Sequence, residues 1–278
     1  MDTMQQTRED TRAAWDSIAP GYDRTNTPTQ MWLGAEALRR AGLRPGMQFL
    51  DVASGSGALG IPAARLGARV LATDQSPVML QLLRARARNE GLEIETRVMD
   101  GHALELDDGR FDMAGSQFGV MLFPDMPTGI GEMTRVVRPG GRVLVVAYGD
   151  PHEIEFLGFL VHAVQTVRPD FTGPPTDPPP LPFQLRDPER LRAELAVGLK
   201  EVRVDTITER TEFRSGQALW DWLVWSNPIV EMVLGELRLT TDEREAVQRT
   251  LDGLVRERAG ESGAAVLTSP INIGVGTK

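Results

Sequence analysis

Asp51, Asp74 and Asp100 each stand at or just past the end of a short run rich in apolar or β-branched residues: Phe49-Leu50, Arg69–Thr73 and Ile94–Val98. Between the first two acids lies Ala53-Ser54-Gly55-Ser56-Gly57-Ala58-Leu59-Gly60, whose glycines satisfy the spacing G-x-G-x-x-G. Glycines so placed let a ligand approach the backbone at a helix N-terminus, where unpaired N–H groups favour an anion. Taken alone, the pattern fits a dinucleotide. Asp51, four residues before Gly55, shifts that reading. A carboxylate there repels a pyrophosphate and suits a cationic amino group.

The other two acids describe the rest of the ligand. Asp74 falls 17 residues after Gly57, where a carboxylate can accept from both hydroxyls of a ribose. That contact reports a nucleoside without choosing its kind. Asp100, just before Gly101-His102, can accept from the exocyclic amine of an adenine while the next backbone N–H donates to a ring nitrogen. S-adenosyl-L-methionine brings the ammonium, a carboxylate for the loop N–H groups, a ribose and an adenine. A nicotinamide-dependent oxidoreductase is the alternative that the glycines allow. Asp51, Asp100 and the lack of a Y-x-x-x-K pair argue against it. A binding module without turnover is the third reading.

Elements that hold three strand-end acids in one row must alternate strands with helices. Phe49–Val52, Arg69–Thr73, Ile94–Val98, Phe111–Ser116 and Arg142–Ala147 read as strands, and Ala58–Leu66, Ser76–Glu90 and Asp125–Val137 as helices. Ser76-Pro77 supplies a hydroxyl cap and a proline where no donor is lost. This rhythm predicts a doubly wound, mostly parallel sheet with the acids along its carboxyl edge, and runs buried on both faces. A helical arm, about 1–45, precedes that core of 46–150. After it come helical segments at 151–200 and 210–263, expected to cap the carboxyl edge. Strands at 201–209 and 264–278 are expected to complete the sheet. Pro169–Pro188 holds eight of the 19 prolines and reads as an extended linker.

Composition narrows the function classes. The chain has 278 residues, no Cys, three His and a net charge of −9. The absence of Cys removes disulfide scaffolds, thiolate metal sites and Cys nucleophiles. His102, His152 and His162 are not spaced as a helical metal-ligand pair, so no metal is expected. Negative charge disfavours a nucleic-acid partner. No apolar stretch approaches the ~20 residues of a membrane span, and a cytoplasmic protein is expected.

The segments LDVASGSG, VLATDQSPVML, VMDGHALELDDGRFD and MTRVVRPGGRVLVV resemble the ordered motifs of class I S-adenosylmethionine-dependent methyltransferases. WDSIAPGYD at Trp15–Asp23 is similar to the N-terminal helix of the ubiquinone/menaquinone and small-molecule methyltransferase group. The resemblance implies a Rossmann-like sheet, mostly parallel with one antiparallel strand. It also implies a small-molecule methyl acceptor. By the same resemblance, Asp51, Ala53, Gly55 and Gly57 hold the methionine end, and Asp74 and Gln75 the ribose. Met79 packs on the adenine, Asp100, Gly101 and His102 read its edge, and Gln117 sits beneath the sulfonium. Ser54 stands where the family often has Cys.

On the acceptor side, Tyr22 in the arm is a candidate lid residue. His152, which follows the fifth strand, is the candidate base by sequence order. The helix bearing Trp220, Trp222 and Trp225 offers two aromatic stripes, read first as buried packing and second as the wall of an apolar pocket. Few basic residues lie near these positions, so a highly anionic acceptor is disfavoured.

Overall fold

The computed structural model describes residues 2–173, 177–226, 230 and 234–278, with side chains described from Glu9 onward. Pro174-Pro175-Thr176 of the proline-rich stretch lie outside the described residues, as do parts of the helical segment after Ser226. One sheet of seven strands runs through the molecule: β1 (Gln48–Val52), β2 (Arg69–Asp74), β3 (Ile94–Val98), β4 (Phe111–Gln117), β5 (Val137–Tyr148), β6 (Lys200–Phe213) and β7 (Ala265–Thr277). Their order is β3-β2-β1-β4-β5-β7-β6, and β7 alone runs opposite to the other six. This is the Rossmann-like arrangement that the motifs imply. The carboxyl ends of β1 and β4 are adjacent at its centre, where strand order reverses and a ligand crevice forms.

The central strands are apolar because both their faces are covered. Phe49, Leu50, Val143, Leu144, Val145 and Val146 have no exposed surface. β3 departs from that expectation. It is the edge strand, its residues alternate between half-buried and exposed, and Val98 is 56% exposed. Asp100 follows β3 by two residues and does not end it, whereas Gln117 is the last residue of β4 and does not follow it.

The helices α1 (Asp2–Thr25), α2 (Thr27–Ala41), α3 (Gly60–Arg65), α4 (Pro77–Asn89) and α5 (Met126–Val136) surround this half. Ser76 caps α4 by accepting from the Met79 N–H at 3.0 Å. α2 is more than an arm. Leu33, Ala37, Leu38 and Ala41 are fully buried in the main core.

The second half grows from β6 and β7, which outrun β5. Tyr148, the last residue of β5, pairs with Ile271, yet the β6–β7 ladder continues to Phe213 opposite Ala265. Around this overhang pack α6 (Glu155–Gln165), α8 (Gly216–Ser226) and α9 (Thr241–Ala259), forming a second apolar cluster with Phe156, Phe213, Trp220, Trp222 and Leu251. Between α6 and β6 lies α7 (Pro188–Ala196). α7 was expected in the cap but packs on the main sheet: Leu191 and Leu195 are fully buried in the first core against Gly274 of β7. Among the described residues, no helix is long and apolar enough to cross a membrane.

Candidate active site

The chain leaves β1 through a turn in which Ala53, Gly55 and Gly57 all adopt positive φ, at 53°, 51° and 105°. A non-glycine residue in that region carries strain, and Phe118, just after β4, does the same at 55°. The two strained turns touch. A Cβ added at Gly119 would lie 2.6 Å from the Ala53 Cβ, so only glycine lets the loops after β1 and β4 meet. Backbone N–H groups of the glycine loop are thereby held at the sheet's carboxyl edge.

Asp51 is 1% exposed, and among the described residues its carboxyl oxygens find no partner at good hydrogen-bond geometry beyond a weak approach of the Gly60 N–H. Its Oδ2 would lie 2.9 Å from a Cβ at Gly60, so it sits against the start of α3. Burial and the charge of Asp74 hold its pKa well above the ordinary carboxylate range. Asp74 is better satisfied. Its Oδ2 accepts from the Gly55 N–H and its Oδ1 from the Ser76 N–H, both at 2.8 Å, which ties the glycine loop to the end of β2. Burial still pushes its pKa up to about 6, partly offset by those bonds. Two mutually repelling acids at a loop of N–H donors do not suit a pyrophosphate. An ammonium group on Asp51 would complete its bonding, and the second lone pair on each Asp74 oxygen can accept a ribose hydroxyl.

The remaining residues of the set fall at the same edge. Asp100 Oδ1 accepts from the His102 N–H at 2.9 Å and lies 2.7 Å from His102 Nδ1, while the His102 ring stacks on Phe123 at 4.5 Å. Gly101 is pressed against the Phe123 ring, so a side chain there would displace that ring. Gln75 is half-buried beside Asp74, and Met79 is 2% exposed in the first turn of α4. Gln117 is buried. Its Nε2 donates to the Gln30 carbonyl at 3.1 Å, and its Oε1 is buried without a partner among the described residues.

Across the glycine loop stands the arm. Arg86 of α4 grips the Asp23 carboxylate at 2.6 Å, and Ser76 donates to Asp16 at 2.5 Å, so α1 is fixed over α4. This brings the Tyr22 ring to 3.7 Å from where a Gly55 Cβ would be. The Tyr22 hydroxyl donates to Gln30 Oε1 at 3.1 Å. Burial raises its pKa, as do the charges of Asp74, Asp51 and Glu209. The corner between α1 and α2 is bonded on two sides. Thr27 and Ser56 share a hydrogen bond of 2.5 Å, while Asn26 donates to the Trp222 carbonyl and Trp222 Nε1 to Thr29, both at 3.3 Å.

Beyond Tyr22 opens a cavity of about 130 Å³ whose walls are almost wholly apolar. Trp15, Phe118, Tyr148, Phe156, Leu160 and Phe183 form much of it. Phe118 and Tyr148 stack at 4.4 Å with an 18° tilt, carrying the strained turn after β4 into the cavity wall. Pro180 and Pro182 also face it, so the proline-rich stretch builds wall as well as linking elements. Trp220 and Trp222 do not line it. Trp222 packs edge-on against Phe156 at 4.9 Å and Phe213 at 5.8 Å inside the cap cluster.

His152 is not brought to this cavity. It lies on the turn Pro151–Glu153 with its side chain 73% exposed, and its Nδ1 is 2.8 Å from Asp150. Sequence order placed it near the crevice, but the chain turns outward after Asp150. Gln30, Phe118 and Tyr148 were missed, since their roles come from contacts between distant segments. Glu209 was also missed. The strand was expected over 201–209, yet it runs to Phe213, and Glu209 shares its buried face with Thr211 and Phe213.

The chain is similar to known proteins in sequence and in fold. Residues 49–141 match the family described as a methyltransferase domain. An uncharacterized protein of Mycobacterium tuberculosis is 35% identical over 192 residues, covering 68% of this chain and 67% of its own. A demethylmenaquinone methyltransferase of Thermus thermophilus is 34% identical over 143 residues, covering 49% of this chain and 65% of its own. Among solved structures, the YcgJ protein of Bacillus subtilis superposes with a TM-score of 0.55 at 14% identity over 90% of this chain and 97% of its own. The phosphoethanolamine N-methyltransferase 2 of Haemonchus contortus, solved with S-adenosyl-L-methionine, gives 0.52 at 17% identity over 88% of this chain and 52% of its own. With the paired acids, the strained glycine loop and the single antiparallel strand, these likenesses place the chain among the class I S-adenosylmethionine-dependent methyltransferases.

Proposed function

We propose that this enzyme methylates a small, largely apolar metabolite on oxygen, carbon or nitrogen. The observation that carries the reading is the cavity beside Tyr22, whose wall is mostly aromatic and aliphatic and includes no Lys or Arg among the described residues. The demethylmenaquinone methyltransferase among the relatives is named for an acceptor of related character. Net charge of −9 and the lack of a basic lining argue against a nucleic-acid or polyanionic acceptor.

S-adenosyl-L-methionine, when bound, supplies an electrophilic methyl group on a positively charged sulfur. The chain supplies alignment and dryness, the requirements of a displacement whose charge is lost in the transition state. Asp51 pairs with the ammonium of the methionine end, Ala53, Gly55 and Gly57 present backbone to its carboxylate, and Asp74 and Gln75 hold the ribose. Asp100, Gly101 and His102 meet the adenine, with Met79 beneath it. Gln117, tied through Gln30 to Tyr22, fixes the floor where the two ligands meet. Tyr22, Phe118 and Tyr148 exclude water from that meeting point.

Calorimetry tests this. The protein loaded with S-adenosylhomocysteine should bind naphthalene with a dissociation constant below about 1 mM and should ignore a naphthalene disulfonate. Binding of the anion in preference to the neutral ring would overturn the apolar-acceptor reading.

A further inference from the structure

Gln30 is the single amide in the wall of the acceptor cavity, and among the described lining residues no acid, histidine, lysine or arginine joins it. It comes from the first turn of α2, on the buried face that continues through Leu33, Ala37 and Ala41. That helical face otherwise calls for apolar side chains. A buried amide there costs stability unless its N–H donors and its oxygen find partners.

The structure supplies partners for part of that capacity. Gln30 Oε1 accepts from the Tyr22 hydroxyl at 3.1 Å. Its main chain is held as well, the N–H donating to the Asn26 carbonyl and the carbonyl accepting from Gln117 Nε2, both at 3.1 Å. Burial and the neighbouring acids keep Tyr22 protonated, so its hydroxyl is the donor and turns the amide oxygen toward itself. The two N–H groups of Nε2 are left over. No hydrogen bond among the described residues uses them, and Nε2 is not sealed from the surface as the unpartnered Gln117 Oε1 is. Gln30 is 4% exposed, and it lines the cavity with that remainder.

We infer that Gln30 sets acceptor specificity, its Nε2 donating to a carbonyl, ether or phenol oxygen on an otherwise apolar acceptor. The inference rests on the apolar-acceptor reading and narrows it to acceptors that bear a hydrogen-bond-accepting oxygen. A neutral donor suits such an oxygen and completes the amide at the same time. An aliphatic amine, charged at neutral pH, meets no counter-charge in this wall. Tyr22, Gln30 and Gln117 form one chain of hydrogen bonds, so an oxygen docked on Gln30 is also registered against the end of β4 and the arm.

Tetralin and 1-tetralone differ by one carbonyl and make the test. Calorimetry measures both against the wild type and Gln30→Met, each loaded with S-adenosylhomocysteine. Methionine keeps an unbranched side chain and loses the donor. The affinity of 1-tetralone relative to tetralin should be about 3–10-fold greater in the wild type than in the variant, as expected for one neutral hydrogen bond. Taking the ratio within each protein cancels any loosening of the wall. 1-Aminotetralin should bind neither protein more tightly than tetralin does. In the wild type alone, infrared difference spectroscopy should find the carbonyl stretch of bound 1-tetralone below its frequency in hexane, which keeps the test independent of the variant's folding. Equal ratios in the two proteins, an unshifted stretch in the wild type, a stretch lowered as much in the variant, or preference of the wild type for the amine over tetralin would overturn the role of Gln30 and leave the apolar reading standing. Failure of both tetralin and 1-tetralone to bind the wild type would overturn both.

Discussion

The two ends of the crevice are built by opposite means. The cofactor end is assembled from backbone: positive-φ turns, loop N–H groups and acids fixed by main-chain bonds, as when Gly55 and Ser76 hold Asp74. The acceptor end is assembled from side chains contributed by the arm, the turn after β4, the end of β5 and the cap. Backbone geometry tolerates little variation, because a side chain at Gly101 or Gly119 has nowhere to go. A wall of rings can be recut one residue at a time without moving the loop that holds the cofactor. On the function proposed above, one end fixes the reaction and the other its substrate.

If that division is right, Asp74→Ala should act on one end alone. It would remove the two ribose contacts proposed for Asp74, and it unties Gly55 and Ser76 from the carboxylate. Affinity for S-adenosylhomocysteine should fall by ~10²–10⁴, from bonds worth about 1.5–3 kcal/mol each. Naphthalene affinity should change less than threefold, and calorimetry reads both. A parallel collapse of the two would break the comparison.

The buried carboxyl of Glu209 on β6 should announce itself in stability. The folded-state pKa of Glu209 is raised to about 7, above its unfolded value. Its contribution is therefore fully present below the unfolded value near 4.5 and is lost as pH climbs through about 7, by at most ~3 kcal/mol. Thermal melts of the cofactor-free protein should show a lower Tm at pH 8 than at pH 5.5, and Glu209→Gln should flatten the upper part of that slope. Asp74, raised to about 6, should keep the lower part sloping in the variant. An unchanged slope in the variant would remove Glu209 as its source.

The smallest effect should come from His152→Ala. Its ring is exposed and bonded to Asp150, outside the cavity. Turnover should stay within about twofold of wild type at neutral pH. A loss of the ~10²–10⁴ typical of a general base would return it to the mechanism.

The cofactor end was legible in the sequence because its parts are contiguous. Asp51 and the glycines occupy ten residues, and Asp74 and Asp100 are reached by counting strands. The acceptor end was not, for reasons that can be named. Phe118 and Tyr148 meet only because β4 and β5 pair in register. Glu209, outside the cavity wall, is hidden in the polar run Glu209-Arg210-Thr211-Glu212, where alternation on an overhanging strand is masked. α2 was read only as part of the helical arm, yet Leu33, Ala37, Leu38 and Ala41 form one buried helical face. His152 misled because order along the chain says nothing about the direction of a turn.

The corner at Asn26 and Thr27 gives the enzyme a kinetic grammar. Thr27 holds Ser56 in the glycine loop, and Asn26 and Thr29 hold Trp222 in the cap. One rigid piece is thus shared by both binding steps, so any factor by which the first ligand alters affinity for the second must be returned in equal measure. A ligand that stiffens the glycine loop therefore also stiffens the corner that holds Trp222.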